Sequence, residues 1–124
     1  MKITESETMK VMDYRKAESQ KFDGGPAKGV TGRVAIGKDD GAGNFCMRVF
    51  EVEPGGYTPK HSHDWEHEIF FHAGEGEVFS NGDWLPAKAG SAVFIPGNEE
   101  HQIKNVGDSQ LTFVCLIPAG PPEL

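Results

Sequence analysis

Cysteine is scarce in this chain of 124 residues: Cys46 and Cys115 are the two it has. Two thiols cannot form a disulfide framework, so the core must hold the fold, and lone thiols fit a reducing compartment. Long hydrophobic runs are missing too, and no stretch approaches the roughly 18 apolar residues that a membrane span needs. The opening MKITESETMKVMDYRK has no apolar segment of the kind that directs secretion. These absences predict a cytoplasmic protein with no membrane partner. Positive charge is also in short supply, with 12 Lys and Arg against 19 Asp and Glu and a net charge of −7. A phosphate backbone needs a cationic face, and the scattered basic residues offer none, which argues against nucleic acid as a partner.

Turn-forming residues are plentiful. The 16 glycines and 8 prolines cluster at DGGPAKG, KDDGAGN, EPGG, AGEG, NGD, PGN and AGPP. Short apolar runs lie between these turns and predict strands over Gly32–Ile36, Phe45–Glu53, His67–Ala73, Glu77–Ser80, Ala92–Ile95, His101–Asn105 and Leu111–Ile117. The Asn81-Gly82 pair predicts a tight hairpin, because both residues tolerate positive φ. Only residues 4–20 have room for a helical turn or two. Many short, evenly spaced strands in a chain of this length predict one all-β domain, a sandwich or small barrel. The proline-rich end, PAGPPEL, cannot join a central strand and is expected to be an extended tail.

Four of the five histidines fall within PKHSHDWEHEIFFHAGEG, at positions 61, 63, 67 and 72. Side chains on a strand alternate faces, so His61 and His63 point the same way. If His67 faces inward, Ile69, Phe71 and Ala73 follow it, while Glu68, Phe70 and His72 face out. The opposite register would bury Glu68 and His72 without evident partners, and a buried unsatisfied polar group costs about 1–3 kcal/mol. Further along, His101, Ile103 and Asn105 form an inward set, and Leu111, Phe113, Cys115 and Ile117 another. Three histidines on one face, with a fourth on a similarly patterned strand, suggest a site for a divalent transition metal.

The spacing of these residues resembles that of the cupin superfamily. Gly55, His61, His63 and Gly74 match its first motif, with His67 in the position usually held by glutamate. Gly90, Pro96, His101 and Asn105 match the second motif, with Asn98 in place of a glycine. Asparagine tolerates the left-handed conformation better than most residues. The resemblance implies a single-domain jelly-roll barrel, a double-stranded β-helix, over residues 29–118. It leaves an N-terminal arm at 1–28 and a tail at 119–124. The NFCMRVFEVEPGG, HSHDWEHEIF and CLIP segments resemble the small manganese cupins with four histidine ligands. That likeness implies a metal held by His61, His63, His67 and His101, with two adjacent open positions, and a homodimer. Glu68 remains the rival third ligand, because the motif also allows four intervening residues.

Four neutral imidazoles leave the full charge of a divalent ion uncompensated, which favours an anionic ligand. With manganese, iron or copper such a site supports oxygenation of a small organic molecule. With nickel or zinc it polarises a carbonyl for isomerisation or hydrolysis. The leading expectation is therefore a metal-dependent oxidoreductase of the dioxygenase type acting on a small anionic substrate. The alternatives are an isomerase or lyase for sugar-derived acids, and a non-catalytic ligand-binding module stabilised by its metal. Trp65, Phe71, Phe94, Phe113 and Cys115 are candidate pocket residues. No general base is evident, because Glu68 faces out and Glu66 lies in a turn.

Overall fold

The longest strand, β3 (Phe45–Tyr57), is the spine of the molecule, pairing with β2 (Ala27–Ile36) on one edge and β9 (Leu111–Pro118) on the other. The computed structural model describes residues 9–124, and all named strand pairs among them are antiparallel. The remaining strands are β1 (Ser19–Gly24), β4 (His67–Ala73), β5 (Glu75–Ser80), β6 (Asp83–Lys88), β7 (Ala92–Ile95) and β8 (His101–Asn105). They run in the order β6-β5-β8-β3-β9-β4-β7, with β2 and β1 continuing from the other edge of β3. The sheet curls into a nearly closed all-β barrel. Its helical content among the described residues is two short 3₁₀ turns, Tyr14–Lys16 and Lys38–Asp40.

Alternation builds the interior. Along β4 the buried residues are His67, Ile69 and Phe71, and the exposed ones are Glu68, Phe70 and His72. Strand β8 buries His101, Ile103 and Asn105, and β9 buries Leu111, Phe113, Cys115 and Ile117. These inward rows join Val30, Cys46, Val52, Val78, Ala87 and Ile95 in one core. A one-residue slip in any of them would move the whole apolar row to solvent, so burial fixes the register. Asn105 crosses the core end with its side-chain amide. Nδ2 donates to the Val52 carbonyl at 2.9 Å and the Ser109 carbonyl at 2.8 Å, while Oδ1 accepts from Gly107 N at 2.9 Å.

The Asn81-Gly82 hairpin forms between β5 and β6, with φ of 50° and 85° at its two central residues. Asn98 also adopts a left-handed conformation, φ 68°, where the family motif has glycine. At Gly74, φ is 90° and an added Cβ would stand 2.6 Å from the Gln110 carbonyl, so that motif glycine fills both a conformational and a steric need.

Two strands lie outside the expected set. Strand β1 is exposed along its length apart from half-buried Phe22, so its sequence carries no inward apolar row. Strand β6 contains Pro86 and pairs with β5 at the end of the sheet, where the absent N–H costs no central ladder bond. Pairing of β1 with β2 starts the sheet well ahead of residue 29, within the segment expected to be an arm. That expected arm also includes residues 1–8, which lie outside the described residues. The helical turn expected within 4–20 is the 3₁₀ turn at Tyr14–Lys16, where Asp13 Oδ1 accepts from Arg15 N at 2.9 Å. The C-terminal tail folds back on the barrel: Glu123 accepts from Lys38 N at 2.8 Å, and Leu124 reaches the barrel mouth.

Candidate metal centre

Beyond Tyr57 the chain leaves β3 and runs beside β8. Thr58 N donates to the Ile103 carbonyl at 2.9 Å, and Thr58 Oγ1 accepts from Ile103 N at 2.9 Å. Pairing then closes between His61 and His101, whose backbones exchange hydrogen bonds of 3.1 and 2.9 Å. Residues 40 apart in sequence are thereby placed side by side. His63 follows two residues after His61 on the same face, and its carbonyl accepts from Asn98 N.

Ring nitrogens of His61, His63 and His101 all lie within 4.8 Å of one another. The Nε2 atoms of His61 and His63 are 3.2 Å apart, closer than two imidazoles come without a shared partner or a proton between them. His101 Nδ1 lies 3.0 Å from the Glu99 carbonyl. A carbonyl can only accept, so Nδ1 carries the proton and Nε2 keeps a free lone pair. His67 enters from β4 with its ring centre 4.7 Å from that of His101 and 5.3 Å from that of His63. It stands outside the tight group of three. It is nonetheless 5% exposed, and its Nδ1 is buried with no hydrogen-bond partner. Convergent lone pairs, an orphaned nitrogen and no carboxylate among them fit a transition-metal ion with imidazole donors.

Burial favours the neutral form of three of these rings, those of His61, His63 and His67. Burial, then repulsion from His101 and His63, pushes the His61 pKa down to about 4, and burial with His101 and Arg48 pushes His67 down to about 3. Burial followed by repulsion from His101 lowers His63 as well. A neutral imidazole has its lone pair available, so the site stays ready for a metal through neutral pH.

Trp65 stacks on His63 with ring centres 4.3 Å apart and planes 6° from parallel, which holds that imidazole in place. Phe113 and Cys115 line a cavity of about 150 Å³ together with all four histidines. Phe71 is fully buried against Phe113 and belongs to the core. Phe94 points away from the cavity, contrary to expectation. It pairs with Glu68 across β4 and β7, shares the outward face with Phe70, and is 59% exposed. Glu68 and His72 are both exposed and outside the cluster.

Arg48 went unnoticed in the sequence and also lines the cavity. It lies opposite Cys115 in the β3–β9 ladder, with Nη2 donating to the thiol sulfur at 3.0 Å. The signal was present: Cys46, Arg48, Phe50 and Val52 share one parity, which places a cation in an otherwise apolar inward row. Burial raises the Cys115 pKa and outweighs the opposing effect of Arg48, so the sulfur remains a thiol. Burial, with Glu123 nearby, likewise pushes Cys46 up to about 11.

The cupin domain family profile matches residues 48–117. The structure of the polyketide cyclase RemF from Streptomyces resistomycificus is similar, with a TM-score of 0.84, 32% identity, and coverage of 93% of this chain and 83% of that one. An oxalate-binding protein of Thermotoga maritima is 37% identical over 68 residues, which cover 54% of this chain and 56% of the relative. The match thus spans less than two thirds of that relative. The polyketide synthase CurC of Streptomyces cyaneus is 27% identical over 114 residues, covering 90% of this chain and 71% of that protein.

Proposed function

This chain belongs to the cupin family, and from that premise we propose a metal-dependent enzyme acting on a small, anionic, enolisable organic molecule. In this reading His61, His63, His67 and His101 hold one divalent ion. The observation that carries the reading is the convergence of three imidazoles on one point, with Nε2 atoms of two of them 3.2 Å apart. Manganese is the first choice for the ion, and iron, nickel, copper and zinc suit the same donors. Any of them, when bound, supplies Lewis-acid polarisation of a carbonyl or carboxylate oxygen.

The chain's own contribution is positioning and exclusion of water. Trp65 fixes the His63 ring, the Glu99 carbonyl fixes the tautomer of His101, and Phe50, Ile69, Ile103 and Phe113 wall the cavity. Polarisation of an enolisable substrate favours proton transfer and ring closure or isomerisation, and similarity to a polyketide cyclase supports that reaction class. Oxygenation is the second reading. It is favoured by a donor set that also suits the redox-active ions manganese, iron and copper. Oxygen-electrode and mass-spectrometric assays on metal-loaded protein with 1,3-diketones separate the two. Isomeric or cyclised product without oxygen uptake supports the first reading, and stoichiometric uptake supports the second. A melting shift with oxalate and no turnover of any substrate would instead fit a binding module, as the name of the Thermotoga maritima relative suggests.

The reading includes a cytoplasmic setting, where Cys46 and Cys115, both buried and free, stay reduced. It also includes a homodimer. Phe70, Phe94, Val114 and Leu116 form an apolar outer sheet face beside exposed Phe45, and a second copy of the same face would cover it.

A further inference from the structure

Arg48 is the one permanently charged side chain among the residues lining the cavity. Its sister on the adjacent strand, Arg33, is paired with Glu51 at 2.7 Å. Arg48 takes part in none of the ion pairs among the described residues. Its donors are poorly used. Nη2 reaches only the Cys115 sulfur, a weak acceptor, Nη1 is 3.4 Å from the Glu123 carbonyl, and Nε is buried with no partner. No side-chain carboxylate lies within ion-pair distance of this half-buried guanidinium, which leaves it able to receive an anion.

The group is nevertheless well positioned. Its carbon lies 5.0 Å from the centre of the Phe50 ring, and Phe50 in turn stacks on Phe113 at 5.3 Å. One face of the guanidinium is thus occupied by an aromatic ring and one corner by a thiol. Planar, forked donors of this kind match a carboxylate with two parallel hydrogen bonds. The volume of about 150 Å³ falls below the roughly 300–1,000 Å³ of sites for drug-sized ligands, so the occupant has few heavy atoms. No Asp or Glu side chain lines the cavity, so no side-chain carboxylate there repels an anionic occupant.

We infer that Arg48 is the carboxylate anchor of this site, so that the ligand is a small carboxylate whose other oxygens face the histidine cluster. The inference rests on the metal-site reading for the second half of that statement, while the Arg48 contact stands on its own. It deepens the proposed function by naming the charged end of the substrate and the residue that selects it.

The test is calorimetric titration with oxalate, and with acetylacetone, which enolises but has no carboxylate. The proteins are manganese-loaded wild type, Arg48→Met and Arg48→Lys, with metal affinity followed by chelator competition and folding by thermal melting. Arg48→Met should weaken oxalate binding by about 10-fold or more, as expected for hydrogen bonds to a charged group. Metal affinity and acetylacetone binding should stay within about 3-fold. Arg48→Lys keeps the charge and loses the fork, so its oxalate affinity should fall between the two, which keeps the test valid if the Met variant fails to fold. Unchanged oxalate affinity in the folded variants would overturn the inference. Wild type that binds acetylacetone but not oxalate would also overturn it while leaving the proposed function standing. If wild type takes up no metal, the metal reading fails, and Arg48-dependent oxalate binding by the metal-free protein would still support the anchor.

Discussion

The Nε2 atoms of His61 and His63 face each other across 3.2 Å. Both rings have their pKa lowered by burial, as does that of His67. An unfolded histidine titrates near 6.5, so below that pH the unfolded chain takes up protons that the folded one refuses. Metal-free protein should therefore have full stability from these groups above about pH 6.5 and lose it as the pH falls toward about 4 for His61. The slope is at most about 1.4 kcal/mol per pH unit for each such group, and smaller for the half-buried His61. Urea unfolding between pH 7.5 and 5 measures it, and His61→Gln should flatten the curve. A wild-type curve that is already flat would contradict the burial of these neutral rings.

Trp65 meets the site through its stack on His63 and also packs against the core. Trp65→Ala should weaken metal binding about 10- to 100-fold, the usual cost of losing a group that orients a ligand. Because Trp65 is partly exposed, the melting temperature of the metal-free protein should fall modestly by comparison. Unchanged metal affinity would make Trp65 a packing residue alone.

Asn105 is 4% exposed and ties together the Val52, Ser109 and Gly107 backbones. Asn105→Ala would leave the buried Val52 carbonyl without this partner, along with the partly buried Ser109 carbonyl and Gly107 N–H, and should cost about 1–3 kcal/mol. Denaturant unfolding of the metal-free protein checks this, and a loss under about 1 kcal/mol would show that water replaces the amide.

On the outer sheet face, Phe70 is 51% and Phe94 59% exposed. Light scattering should give twice the 13.5 kDa chain mass for wild type at micromolar concentration. The double variant Phe70→Glu, Phe94→Glu should give the single mass with metal affinity retained. A monomeric wild type would contradict the dimer.

Most of the barrel was legible because alternation reports burial. HEIFFHA and HQIKN each place polar and apolar residues on opposite faces, and β4 and β8 follow that pattern. Strands β1 and β6 were not legible, because neither buries a regular row: the first is nearly all exposed and the second carries Pro86 at the sheet edge. Phe94 shows the same limit from the other side. A short strand with three apolar neighbours, Ala92, Val93 and Ile95, has no polar residue to mark its outer face, so its parity could not be read. Arg48 was overlooked because a charge in a strand reads as solvent-facing until its neighbours of equal parity are considered. The meeting of His61 with His101 depends on a bridge between distant segments, so it was legible through the motif resemblance and not through local pattern.

Whether His61, His63, His67 and His101 hold one divalent ion is measured most directly by chelator-competition titration with manganese and with zinc. Wild type, His67→Ala and Glu68→Ala should be run in parallel. His67 is buried at the cluster with an unpartnered Nδ1, whereas Glu68 is exposed on the opposite face of β4. The expected result is one ion per chain, with affinity reduced by about 100-fold or more in His67→Ala and within about 3-fold of wild type in Glu68→Ala. A wild-type protein that binds no ion, or a larger loss in Glu68→Ala than in His67→Ala, would contradict four-histidine ligation.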